Sequence, residues 1–141
     1  MADPRNAVAF EGIGYSAQTF WIDDSTITYS ATATNGSAGV GLAVAFSASE
    51  TVELAGDGEE IVGKLISVES DNKAVVQTGG YMTLPAGTGA TLTPGKKIVG
   101  DLLVSAEGYI REVATATAAE LGVARGMIVD AGTTTAVVVK L

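Results

Sequence analysis

The stretch "GGYMTLPAGTGATLTPGKK", residues 79–97, carries two prolines, two lysines and five glycines. A glycine followed by lysine is how a phosphate-binding loop ends, so this stretch decides between a nucleotide-binding α/β chain and a β-protein with a turn-rich connection. A phosphate loop needs Gly, four residues, Gly-Lys and then a Ser or Thr for magnesium. Here five residues separate Gly89 from Gly95, and Lys97 stands where the hydroxyl belongs. The next segment, "KIVGDLLVS", has the apolar, β-branched character of a strand. Without a helix amino terminus there is no set of oriented amides to hold phosphate. The stretch reads as a strap, stiffened by Pro85 and Pro94 and bent at Gly87, Gly89 and Gly95.

The segments on either side of the strap agree with a β-protein. "TITYSATAT" (26–34) alternates Ile27, Tyr29, Ala31 and Ala33 with Thr and Ser, as a half-buried strand does. Asn35-Gly36 is a turn pair, after which "VGLAVAFSA" (40–48) and the short "TVEL" read as strands. "IVGKLISVES" (61–70) is a longer one, whose Gly63 marks a bulge or a close backbone approach. "AVVQTGGYMTLP" (74–85) leads into the strap, and "KIVGDLLVS" leaves it toward a turn at Glu107-Gly108. Thr117 and Glu120 have the spacing of a capping box and predict one helix of about two turns. Strands near 127–130 and 135–141 close the chain; Val137, Val138 and Val139 suit a strand buried on both faces or a subunit contact. The expectation is a mainly β fold, a small barrel or sandwich of eight to ten strands with one short helix.

Residues 1–24 differ from the rest. They hold Phe10, Tyr15, Phe20 and Trp21, four of the eight Phe, Trp and Tyr residues, without a sustained period of 2 or 3.6. Such a segment either packs back on its own domain or forms an arm that docks elsewhere, with aromatic anchors carrying the binding energy. The arm is the favoured reading. It divides the chain into an extended amino-terminal arm, 1–24, and one β-rich domain, 25–141, with these four aromatics as contact candidates.

Composition narrows the chemistry. The 141 residues suit one domain, and the net charge of −8 with scattered basic residues disfavours nucleic acid as a direct partner. No Cys or His is present, so thiol nucleophiles, His-based triads and nearly all zinc or haem sites are excluded. Neither an export signal nor an apolar run of membrane-spanning length is visible. Asp23-Asp24 and Glu59-Glu60 are sequence neighbours that point to opposite faces of an extended chain, poor geometry for a catalytic dyad. "GDGEE" lacks the alternating ligands of a calcium loop, and Arg111 beside Glu112 reads as a surface or interface ion pair. No catalytic, cofactor or metal residue is expected, and an enzyme is not.

The block "GDGEEIVGKLISVESDNKAVVQTGGYMTLPAGTGATLTPGKKIVGDLLVSAEGYIREV", with the ending "ARGMIVDAG…AVVVKL", resembles the decoration (cement) proteins of tailed-bacteriophage capsids. The resemblance covers about residues 50–141. It implies a β-rich domain made in the host cytoplasm and carried on the outer surface of the virion. It further implies a homotrimer that binds the major capsid protein, bridges neighbouring subunits and holds the head against the pressure of packaged DNA. Neither a membrane nor a cofactor enters that role. Two alternatives stay open: a non-catalytic β-rich module for a ligand or carbohydrate, disfavoured because Trp21 is alone and Tyr81 and Tyr109 sit within apolar strands, and another virion part such as a head-fibre base.

Overall fold

The structure, a computed structural model, describes residues 14–114, 118–133 and 135–141. Among them ten strands and one short helix form the mainly β fold expected, and five of the strands close into a barrel. The barrel strands are β1 (Ser16–Ile22), β2 (Ala43–Ala48), β3 (Thr51–Leu54), β4 (Gly63–Val68) and β5 (Lys73–Gly79), in the order β1-β3-β2-β4-β5. A second sheet sets β10 (Ala136–Lys140) between β6 (Tyr81–Leu84) and β9 (Met127–Thr133). The hairpin of β7 (Ile98–Leu103) and β8 (Ala106–Glu112) completes the strands, and α1 (Ala118–Val123) is the helix.

Two apolar cores arise from the period-2 alternation of the strands. The barrel interior holds Ile22, Ile27, Val44, Val52, Leu65, Val68, Ala74 and Val76. The other core packs Met82, Leu84, Ile98, Ile110, Ile128, Val137 and Val139 against Ala43, Ala45 and Ala55. Strand β2 is the shared wall: Val44 points into the barrel, while Ala43 and Ala45 on its other face meet the second core. The small Ala side chains let the second layer approach closely, and all three residues are buried. Within β10 the valines divide as alternation requires, with Val137 and Val139 fully buried and Val138 partly exposed between two neighbouring strands.

The strap is where the sequence places it, between β6 and β7. The strand read as 74–85 is instead two, broken at Gly79-Gly80, with Gly80 at φ +87°. The buried Gln77 braces this corner, its Nε2 donating to the Gly79 and Tyr81 carbonyls at 3.2 and 3.1 Å. The β7–β8 turn falls at Val104-Ser105 rather than at Glu107-Gly108. Gly108 serves inside β8, donating its N–H to Ala55 O and lying where a Cβ would crowd the Leu42 side chain.

Residues 26–34 do not form a strand. Asp23 competes for that backbone: its carboxylate accepts from the N–H groups of Thr26 and Ile27 and from the hydroxyls of Ser25 and Thr26, at 2.7–3.0 Å. Side-chain acceptors of this kind offer the chain an alternative to a ladder. Thr26 Oγ1 in turn accepts from Leu54 N, tying the loop to β3. Burial alone would push the Asp23 carboxyl up; the four hydrogen bonds outweigh it and hold the pKa below its ordinary value.

The division at residue 24 also needs correction. Ser16–Ile22 is barrel strand β1, antiparallel to β5 from Ser16↔Gly79 to Trp21↔Lys73 and parallel to β3 at Trp21↔Thr51 and Ile22↔Val52. The irregular hydrophobic pattern hid this strand because Ser16–Thr19 are exposed on both faces, so no alternation appears until Phe20 and Ile22 turn inward. Residues 1–13 of the expected arm lie outside the described residues, as does Thr117 of the capping box.

Candidate functional site

Strand β1 presents its two aromatics on opposite faces, because neighbouring side chains on a strand alternate. Phe20 lies opposite Ala74, packs on the barrel core and meets Phe46 edge-to-face, with ring centroids 5.3 Å apart. Phe46 pairs in register with buried Val52, yet it is 53% exposed, which sets it at the rim of the barrel interior. Beside it lies an open groove of about 320 Å³, lined by Ala45, Phe46, Val62 and Val123 together with the charged Glu59, Glu60 and Arg125. Arg125 is held there by donating to the Ile61 and Val62 carbonyls. Phe46 is a large apolar side chain on a paired strand at the lip of an open groove, the arrangement of a contact anchor. In the sequence it is only one more member of an apolar run.

Trp21 faces the other way, at 46% exposure, with Lys73 Nζ 5.2 Å from its ring centroid. Its backbone is pinned between two hairpin tips: Trp21 N donates to Glu50 O at 2.8 Å, and Ile22 N to Asn72 O at 3.1 Å. Both carbonyls belong to left-handed residues, Glu50 at φ 56° and Asn72 at φ 62°. A groove of about 330 Å³ runs along this face, lined by Gln18, Thr19, Phe20, Trp21, Glu50 and Lys73. The four sequence candidates are therefore not one cluster. Tyr15 is exposed ahead of β1, Phe20 and Trp21 are on opposite faces, and Phe10 lies outside the described residues.

Arg111 organises a third region. Its guanidinium grips Glu120 of α1 with both terminal nitrogens, Nη1 donating to Oε2 at 3.0 Å, and Nε donates to Asp57 at 3.1 Å. Asp101 stands 3.9 Å away. The pair is largely buried, with side-chain exposures of 19% and 17%. Above all the hydrogen bond to Glu120 keeps the guanidinium charged against the cost of burial, and the same bond holds the Glu120 carboxyl below its ordinary pKa. Since α1 contributes no buried residue, this pair is a main tie between the helix and the β7–β8 hairpin. The ion pair expected of Arg111 joins it to Glu120 and Asp57, while Glu112 offers only its backbone carbonyl. Among the described residues no three carboxylates converge as metal ligands.

Replacing Arg111 by Met keeps the stem packing and strands the carboxylates. Between an exposed pair, worth under ~1 kcal/mol, and a broken buried one at ~3–5 kcal/mol, the expected loss is about 2 kcal/mol. A depressed carboxylate pKa contributes stability above the unfolded value, near pH 4.3, and loses it as pH falls through the lower folded value. Thermal unfolding of wild type and Arg111→Met should therefore differ most at neutral pH and converge below about pH 4.

No known protein-family model matches this chain, and no curated protein does either.

Proposed function

We propose that this chain is a structural, non-catalytic virion protein that binds the outside of an icosahedral phage head as a homotrimer, bridging neighbouring major-capsid subunits. The observation that carries the reading is Phe46: an aromatic side chain left 53% exposed on a strand buried up to that residue, with Phe20 on one side and an open groove of mixed apolar and charged lining on the other. A rigid barrel spends little entropy on presenting such an anchor, which is what a clamp requires. The resemblance over residues 50–141 supplies the partner.

Co-sedimentation with capsids that lack the protein tests this. Wild type should bind saturably and raise the temperature at which the shells open. Phe46→Glu should weaken binding by about thirtyfold, the ~2 kcal/mol of a contact hot spot, with thermal unfolding of the free protein nearly unchanged. Failure of the folded wild-type protein to bind any capsid would end the proposal.

A further inference from the structure

On the face of β1 opposite Phe46, the fold assembles a set of groups that the sequence keeps apart. Thr19 and Trp21 come from this face of β1, Glu50 from the β2–β3 hairpin tip, and Lys73 from the start of β5, while Gln18 and Phe20, which alternate to the other face, border the groove. We propose that this groove is a binding site for neutral hexose oligosaccharides. An exposed indole offers a flat apolar surface to the C–H face of a pyranose ring. The groups around it, a hydroxyl, a carboxylate and an ammonium, are the donors and acceptors that ring hydroxyls need. A site with a few placed polar groups around an aromatic floor is the general form of a small-molecule site. The volume of about 330 Å³ lies at the lower end of the range for such sites, suiting one or two sugar rings.

The geometry is set before any ligand arrives. Trp21 cannot swing with its backbone, because the N–H groups of Trp21 and Ile22 are bound to carbonyls of the two hairpin tips. Glu50 owes its position beside the indole to a left-handed backbone that non-glycine residues seldom adopt. Strain of this kind concentrates where placement matters. Lys73 covers the ring only loosely: its side chain is 45% exposed and shares its charge with Asp71 at 3.5 Å. A sugar ring displaces the ammonium from the indole face and receives it as a hydroxyl donor.

Other ligand classes fit less well. One lysine beside one glutamate gives no net charge for a phosphate or polyanion, and the chain's net charge of −8 opposes both. An apolar ligand would strand the three polar groups around the indole, Thr19, Glu50 and Lys73. The neutral, polyhydroxylated ligand is what remains.

Trp21 is the only tryptophan in the chain, so its fluorescence reports on this groove alone. The full-length protein would be titrated with maltotetraose, cellotetraose and mannotetraose, with saturation-transfer NMR on the same samples. The expected result is a saturable shift of the emission for at least one of the three, with a dissociation constant in the millimolar range. Thr19→Val and Lys73→Met, both at exposed positions, should each weaken it about fivefold, as loss of one hydrogen bond does. Absence of a saturable change with all three sugars overturns the proposal, and so does equal binding by the double variant. Capsid binding is read separately, by co-sedimentation with Phe46→Glu, since Phe46 itself does not line this groove.

Discussion

A protein lacking residues 1–24 is expected to lose its cooperative unfolding transition. The cut removes all of β1, and with it the strand that joins β5 to β3 and closes the barrel. It also removes Ile22 from the interior, worth ~1.5–3 kcal/mol by burial alone, and the Asp23 carboxylate with its four hydrogen bonds. Strand β5 would then offer its backbone to solvent along its whole length, the condition that invites aggregation. These losses together approach the whole stability of an ordinary domain, ~5–15 kcal/mol. Circular dichroism during heating should show no sigmoidal transition, or the protein should be recovered only as aggregate. A cut before Gly14 keeps every strand of the barrel and is the proper truncation for testing the amino-terminal segment in capsid binding. A folded, cooperative 25–141 fragment would show that β1 is an accessory to the barrel rather than part of it.

Gly63→Ala is expected to be the most damaging single substitution of those considered. Gly63 opens β4 and is buried against β5, and a Cβ there would lie far inside van der Waals contact distance of the Gln77 carbonyl oxygen. The opposing atom is backbone in a ladder, so no side chain can turn aside to make room. Overpacking costs ~1–3 kcal/mol where side chains adjust; a backbone collision belongs at or above the upper end. For a domain of this size about 3 kcal/mol lowers the unfolding midpoint by roughly 10 °C. The strain would also reach the β5–β6 corner, which Gln77 holds through its side chain. Gly122→Ala in α1 provides the contrast: the new methyl meets nothing within 4 Å, and the midpoint should stay or rise slightly. Equal behaviour of the two variants would show that β4 and β5 can separate at little cost.

Much of the fold was legible in the residues. The strap, the β class, the single short helix and the close approach at Gly63 all come from local chemistry, where a glycine, a proline or an alternating run states its own requirement. What escaped the sequence was decided at a distance. Residues 26–34 alternate as well as any strand here, but Asp23 holds their first amides. Ser16–Thr19 alternate in nothing and yet form a strand, because β5 supplies the hydrogen bonds. Trp21 stands alone in sequence, while Glu50 and Lys73 reach it only once two hairpins have closed. Phe46 gave no signal at all, since exposure is a property of the finished fold.

The double duty of β2 has a consequence for how the molecule can fail. A strand that lends one face to the barrel and the other to the second layer cannot let go of either without disturbing both. The two layers are therefore coupled through one strand, so that opening either core disturbs the packing of the other. Force applied at the rim near Phe46 enters through this same strand and is shared at once by the whole domain.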